Sequence, residues 1–271
     1  MLPFTFKPLI EKRSNKMTIA VIGGSGVYHP VWLSQVTTET VTTPFGAVSV
    51  NRGWLADEHS TSLFINRHGV DHHIPPHRVN YRANIWALKE LGADMIVATA
   101  AVGSMNQAMA PGTLVLPDQF IDFTKNREST YFDGGGGLGQ GVVHADMTHP
   151  FSSALRRALV AAAERIDIAR PIEGGTYVCT EGPRFETPAE IRAYRMLGGD
   201  LVGMTAVPEV VLAGELAMGY QTLALVTNWA AGLTDAGLSH QEVLDLMGAN
   251  SQRTTRLLAA MLQAGLRERS D

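Results

Sequence analysis

Along the 271 residues the apolar and polar positions change period several times, and each change marks an element. Thr18-Ile19-Ala20-Val21-Ile22 is a short β-rich run that leads straight into Gly23-Gly24-Ser25-Gly26. From Thr37 to Arg67, β-prone runs alternate with turn residues such as Thr43-Pro44-Phe45-Gly46 and Asn51-Arg52-Gly53, which predicts a β-meander. Asn80 to Leu91 has a helical period, with Ile85, Leu88 and Leu91 on one face and Gly92 ending it. Asp94 to Ala101 is nearly continuous apolar chain, the pattern of a strand buried on both faces of a sheet. Thr113 to Phe123 reads as one further strand. Phe151 to Arg165 reads as a helix, and a second helix begins near Thr187 and closes at Gly198-Gly199.

Between Thr176 and Asn228 the alternation is most regular. A strand at Tyr177-Val178-Cys179 is followed by the break Glu181-Gly182-Pro183-Arg184-Phe185-Glu186, a helix and the short strand Leu201-Val202-Gly203-Met204. Thr205 to Glu209 come next, then a helix, then the run Leu223-Ala224-Leu225-Val226, which stops on Thr227-Asn228. The last helix is predicted from Leu238-Ser239-His240 toward Leu266, with Ser239 as its N-cap. A β-rich start followed by alternating helices and strands predicts an α/β fold, a single domain with a mixed central β-sheet flanked by helices. Residues 1–16 scatter Lys7, Glu11, Lys12, Arg13 and Lys16 without an apolar core. They are expected to be a mobile N-terminal extension to a domain spanning 17–271.

Composition narrows the function classes. A formal net charge of −4, with acids and bases interspersed, provides no basic field for a nucleic-acid backbone, so no nucleic-acid polymer is expected as a partner. No apolar run approaches the roughly 20 residues a membrane span needs. Cys179 is the single cysteine and sits in an apolar strand, which excludes an internal disulfide and a thiolate metal cluster. The expected location is the cytoplasm.

Polar residues recur where buried strands end, and in open α/β sheets ligands bind outside the carboxyl ends of the strands. Glu186, Met204-Thr205 and Asn228 are therefore candidates to converge on one small molecule; taken singly, each is equally a helix cap or a loop residue. The Gly23–Gly26 turn lets the backbone and the Ser25 hydroxyl approach an anion. It lacks the third glycine of a dinucleotide fingerprint, the Gly-Lys-Ser/Thr of a P-loop and the second glycine of a nucleophile elbow, and a plain tight turn accounts for it as well. After the strand Ser62–Asn66 come Arg67 and His68, a planar guanidinium suited to phosphate and an imidazole beside it. Small residues at Ala100-Ala101-Val102-Gly103-Ser104 leave room for a ligand against the backbone. His68, His72, His73 and His77 crowd one segment, but Gly69 and Pro75-Pro76 interrupt any helix there, and neither this cluster nor His144-Ala145-Asp146 with His149 is expected to bind metal.

Several segments together resemble the trimeric purine nucleoside phosphorylase and methylthioadenosine phosphorylase family. They are Gly23-Gly24-Ser25-Gly26, Asn66-Arg67-His68-Gly69, Asn80 to Leu88, Asp118 to Asp122, Gly182-Pro183-Arg184-Phe185-Glu186, Gly203 to Glu209 and Thr227-Asn228. The resemblance covers Thr18 to about Leu266. It implies a nucleoside phosphorylase fold, a homotrimer, and cleavage of a ribosidic bond by inorganic phosphate as co-substrate, with no cofactor. It implies that Ser25, Arg67, His68, the Ala101 backbone and Thr205 hold phosphate. Met204 would pack under the ribose, Phe185, Glu186 and Asn228 would meet the purine, and Asn228, Glu186 and His68 would carry the catalytic contacts.

Adenine-specific members of the family carry serine at the position of Glu186 and aspartates at those of Asn228 and Ala230. The residues present here suit the N1–H and O6 of a 6-oxopurine. His240 matches a histidine directed at a 5′-hydroxyl, whereas His144 matches a residue that the methylthioadenosine branch lends to a neighbouring subunit. The expected substrates are inosine and guanosine. The alternative is 5′-methylthioinosine or 5′-methylthioadenosine, and a remoter one is a non-catalytic nucleotide-binding protein.

Overall fold

The computed structural model describes residues 17–24, 26–56, 60–134, 142–234 and 240–265, the side chains of 240–244 excepted. The first strands in chain order are β1 (Ile19–Gly23), β2 (Ser34–Thr43), β3 (Gly46–Trp54) and β4 (Thr61–Asn66). A 3-10 turn at Pro76–Arg78, helix α1 (Tyr81–Glu90) and strand β5 (Met95–Ser104) follow. Next are β6 (Leu114–Leu116), β7 (Gln119–Phe123), α2 (Ser153–Arg165), β8 (Ile172–Glu173), β9 (Thr176–Thr180) and α3 (Pro188–Met196). The chain ends with β10 (Leu201–Gly203), α4 (Ala206–Glu215), β11 (Gly219–Trp229) and α5 (His240–Ala264).

Helix starts follow the side chains available to cap them. Asn80 accepts the Ala83 N–H and Ser152 the Leu155 N–H. Thr187 and Glu190 form a reciprocal capping box on α3, satisfying donors that the first turn cannot satisfy itself. Period-2 alternation then divides the strands between two apolar layers. Ala20, Ile22, Ile96, Ala98, Ala100, Tyr220, Ala224 and Val226 face one core with α1 and α4, while Ile19, Val21, Val97, Leu223 and Leu225 face the other with α2 and α5. Burial on both faces is why β5 and β11 read as unbroken apolar runs. A smaller cluster under α3 joins Val178, Ile191, Tyr194 and Val202.

Among the described residues the strands form one mixed eleven-stranded sheet in the order β2-β3-β4-β1-β5-β10-β9-β7, with β11, β6 and β8 branching from the other edge of β5. The β-meander expected between Thr37 and Arg67 is present as β2-β3-β4, paired antiparallel. Thr113–Phe123, expected as one strand, is two. Pro117 has no N–H to donate, and the chain breaks there, sending β6 to β11 and β7 to β9 at opposite sides of the sheet. The helix expected after Glu209 already begins at Ala206, so Glu209 lies inside it. The run Leu223–Val226 is the middle of a longer strand that continues, across a bulge at Thr227, to Trp229. Residues 1–16, Ser25, Ser239 and the glycine run from 135 to 141 lie outside the described residues.

β5 positions the site. Its whole length pairs with β11 along one edge. On the other edge Met95–Ala98 pair parallel with β1, while Gly103 and Ser104 pair antiparallel with β10. Residues 99–102 therefore have no strand beside them on that edge, and the sheet opens between the ends of β1 and β10.

Leu155 of α2 is fully buried with Leu159, Leu223, Leu257 and Leu258 in the layer that seats α5. Leu155→Ala is expected to cost about 2–5 kcal/mol of unfolding free energy. Denaturant melts that show less than about 1 kcal/mol would mean that this layer repacks around the gap.

Candidate active site

A cavity of about 340 Å³ occupies the opening beside β5. Ala100 to Gly103 of β5 line it together with Arg67, His68, Phe185, Glu186, Met204, Thr205 and Asn228. Eight of the expected site residues, Arg67, His68, Ala101, Phe185, Glu186, Met204, Thr205 and Asn228, thus meet around one space although they come from β5, β11 and the segments that follow β4, β9 and β10. Ser25 lies outside the described residues, as does the His240 side chain, although His240 itself opens α5. His144 is exposed and is not among the residues that line the cavity of its own chain.

Arg67 follows β4, which lies beside β1, and its backbone N–H donates to the Gly23 carbonyl. Its side chain is almost fully buried. Nε and Nη2 donate to the two carboxylate oxygens of Glu209 at 2.6 and 2.9 Å, and Nη1 donates to the Thr99 carbonyl at 2.7 Å. A guanidinium carries five N–H donors, so one on each Nη remains for the cavity. The Tyr220 hydroxyl donates to Glu209 Oε2 at 2.7 Å and completes the carboxylate's shell. Burial opposes the guanidinium charge, but Glu209 outweighs it and holds the Arg67 pKa above its ordinary value. Glu209 was not expected in the site. Its signal was a lone carboxylate in the otherwise apolar helix Ala206-Val207-Pro208-Glu209-Val210-Val211-Leu212, where a buried charge demands a partner.

Because Thr99 directs its carbonyl at Arg67, the strand's alternation turns the Ala101 main chain toward the same open edge. Gly24 packs against this point, donating its N–H to Thr99 Oγ1 at 2.7 Å. A Cβ there would lie 2.4 Å from the Thr99 carbonyl oxygen and 2.7 Å from Arg67 Nη1, so only glycine permits the approach.

His68 Nδ1 lies 2.8 Å from the Ile74 carbonyl, which can only accept; the ring proton therefore sits on Nδ1 and Nε2 is the bare nitrogen. Burial, then the Arg67 charge, pushes the His68 pKa down to about 3, so at neutral pH the ring is an acceptor rather than a cation. Thr205 is the N-cap of α4 but makes no side-chain capping bond there. Gly182, at φ +66°, lies beneath Met204: a Cβ at that position would meet the Met204 sulfur at 2.6 Å.

On the opposite wall the Thr180 hydroxyl donates to Glu186 Oε1 at 2.6 Å, leaving Oε2 to the cavity, and burial raises the Glu186 pKa. The single proton of the Thr227 hydroxyl lies nearer Asn228 Oδ1, at 2.8 Å, than the Val102 carbonyl, at 3.2 Å. Asn228 Nδ2 donates one proton to the Trp229 carbonyl at 2.8 Å. One Nδ2 proton is left, aimed by a fixed amide. Thr180 had no signal of its own in the sequence, since hydroxyls in strands are ordinary, and Thr227 was read only as the end of an apolar run beside Asn228.

Among the described residues no group of three or more His, Cys, Asp or Glu side chains is arranged to hold a metal ion, and no helix is long and apolar enough to cross a membrane. Cys179 is buried, and its thiol pKa is pushed up to about 12 by burial, so it is not a nucleophile.

A guanidinium matched by a buried carboxylate, a neutral imidazole, a second carboxylate and an amide thus meet at one opening of the sheet. The chain belongs to the phosphorylase superfamily, whose family model matches residues 18–263. It is 50% identical over 254 residues to the 6-oxopurine nucleoside phosphorylase of Pyrococcus furiosus, covering 93% of this chain and 94% of that protein. It is 46% identical over 247 residues to a probable S-methyl-5′-thioinosine phosphorylase of Methanopyrus kandleri, covering 90% and 91%. Among solved structures, methylthioadenosine phosphorylase from Schistosoma mansoni in complex with adenine superposes with a TM-score of 0.87 at 33% identity, covering 92% of each chain.

The neutral His68 has a consequence for acid stability. The unfolded chain binds a proton at this imidazole below about pH 6.5, whereas the folded protein does so only near pH 3. Stability contributed by the neutral ring is therefore whole above pH 6.5 and is lost as pH falls through that window, by up to about 1.4 kcal/mol per pH unit. Melts of wild type and His68→Gln between pH 7 and 4 should show their difference shrinking as pH falls; a pH-independent difference would mean that the folded ring takes up its proton over the same pH range as the unfolded chain.

Proposed function

We propose that this enzyme is a purine nucleoside phosphorylase, a pentosyltransferase that uses inorganic phosphate to cleave the N-ribosidic bond of inosine and guanosine, releasing the free base and ribose 1-phosphate. The observation that carries the reading is the pairing, across one cavity, of the Arg67–His68 anion end with the Glu186–Asn228 wall.

Hydrogenphosphate brings acceptor oxygens and one P–OH. The two free Nη protons of Arg67, the Ala101 main chain and the Thr205 hydroxyl are the donors for the oxygens, with Ser25 as a further one. His68 Nε2 is the acceptor for the P–OH. In the reaction the glycosidic bond stretches until the ribose carries positive charge, and phosphate beneath it stabilises that charge and then forms the new C1′–O bond. The bond's electrons leave with the base, which takes up a proton from water to become the free base, while the phosphate gives up its P–OH proton. The remaining Nδ2 proton of Asn228 is the donor for charge developing on N7 and O6, and Glu186 Oε2 accepts the N1–H of a 6-oxopurine. Positioning and fixed dipoles do the work, with no cofactor and no covalent intermediate.

The choice of 6-oxopurines rests on Glu186, Asn228 and Ala230 together with the Pyrococcus furiosus relative. Of the methylthio alternatives, 5′-methylthioinosine keeps the same base contacts and differs only at the 5′ end, where His240 favours a hydroxyl, whereas 5′-methylthioadenosine has no N1–H for Glu186. A hydrolase that used water would leave the anion end without a purpose. The exposed segment Val142-Val143-His144, its two valines 81% and 46% accessible, supports a homotrimer in which His144 reaches a neighbouring site. The reaction belongs to purine salvage in the cytoplasm, where the lone Cys179 needs no disulfide partner.

Release of base from inosine, guanosine, adenosine, 5′-methylthioinosine and 5′-methylthioadenosine, with and without phosphate, tests the reading. Phosphate-dependent release from inosine and guanosine is expected; equal rates without phosphate would replace it with a hydrolase. Asn228→Ala should lower kcat on inosine by ~10²–10³-fold with the fold intact. An unchanged kcat would remove Asn228 from the mechanism.

A further inference from the structure

Arg127 has no part in the chemistry above. Its side chain is 2% exposed, and it lies behind the cavity rather than in its wall. The guanidinium bridges separate elements through their main chains. Nη1 donates to the Val207 carbonyl at 2.7 Å and lies 3.2 Å from the Tyr81 hydroxyl oxygen. Nη2 donates to the carbonyls of Thr180 at 3.1 Å and Glu181 at 2.7 Å. The ring of Tyr81 lies 5.2 Å from the guanidinium carbon, and the Tyr81 hydroxyl donates to the Pro76 carbonyl at 2.8 Å.

Each of these contacts is one step from a wall of the cavity. Thr180 holds Glu186 through its hydroxyl. Val207 has extended backbone, φ −110° and ψ 129°, at the start of α4, two residues beyond Thr205. Pro76 lines the cavity in the same loop as Ile74, whose carbonyl sets the His68 tautomer. The bonds run to carbonyls rather than to an opposing carboxylate fork; Glu181, the acid nearest by, stands 3.8 Å from Nε. A planar, rigid fork is the one side chain that fixes the spacing of several carbonyls at once.

We infer that Arg127 is a positioning residue that sets the separation between the purine side of the cavity, Thr180 to Glu186, and its phosphate side, Thr205 to Val207, so that both substrates are held in register for transfer. The inference rests on the phosphorylase reading. Neither half-site needs Arg127 to bind its own ligand. Transfer needs the reacting atoms about 3–3.5 Å apart, and a displacement of about 1 Å costs on the order of 100-fold in rate.

The test compares wild type with Arg127→Lys and Arg127→Met. Binding of inorganic phosphate alone and of hypoxanthine alone is measured by calorimetry, and kcat on inosine is expressed per hypoxanthine-binding site. In both variants kcat should fall by ~10–100-fold while each ligand alone binds within about three-fold of wild type. A purely structural residue would instead lower the number of binding sites and leave kcat per site unchanged, which overturns the inference. So would loss of one ligand's affinity by more than about ten-fold with the other intact, since Arg127 would then serve a single wall. Should Arg127→Met not fold, Arg127→Lys, which keeps the charge and most of the packing, decides alone. A wild type that binds both ligands and does not cleave inosine would count against the phosphorylase reading, independently of how the variants behave.

Discussion

The site exists because one strand changes partner in mid-course. β5 is hydrogen-bonded to β11 along its length, but on its other edge it leaves β1 after Ala98 and takes up β10 only at Gly103. Between those points a buried strand presents main-chain groups with no strand to receive them, and such groups are not left unpaired in a folded protein. Arg67 answers the Thr99 carbonyl from the loop after β4, and the Ala101 main chain faces the same opening. The glycines around the gap are there because a Cβ would fill it. Gly24 touches Thr99 and Arg67, and Gly203 would place a Cβ 2.1 Å from the Tyr177 hydroxyl.

The electrostatics of the anion end follow from its depth. A lone buried guanidinium is too costly to keep, so Arg67 is matched by Glu209, and Glu209 by the Tyr220 hydroxyl. His68, next to that guanidinium and out of water, stays neutral. The described part of this end therefore offers the proposed phosphate donors fixed in direction rather than a large surplus of positive charge. In the proposed reaction such an arrangement would have little reorganisation left to do as charge moves from sugar to base, which is the condition for electrostatic stabilisation of a transition state. The opposite wall uses the same device in neutral form: threonine hydroxyls on β9 and β11 orient the Glu186 carboxylate and the Asn228 amide.

Local sequence sets the alternation of strands and helices, the burial of the central strands and eight of the residues that line the cavity. Those features are local: hydrophobic period, glycine at tight approaches, and polar residues where an apolar run stops. Arg67-His68, Glu186, Met204-Thr205 and Asn228 were legible because each sits at such a stop. Tertiary structure alone decided the partnerships. Arg67 and Glu209 are 142 positions apart, and Arg127 reaches Val207 across 80 positions and Glu181 across 54. No local pattern encodes contacts at that distance, because they depend on which strands become neighbours. Pro117 marks the break in Thr113–Phe123 locally, but the destinations of the two halves have the same tertiary origin. Both halves are apolar enough to be strand, and only the competition of β11 and β9 for partners sends them to opposite sides of the sheet.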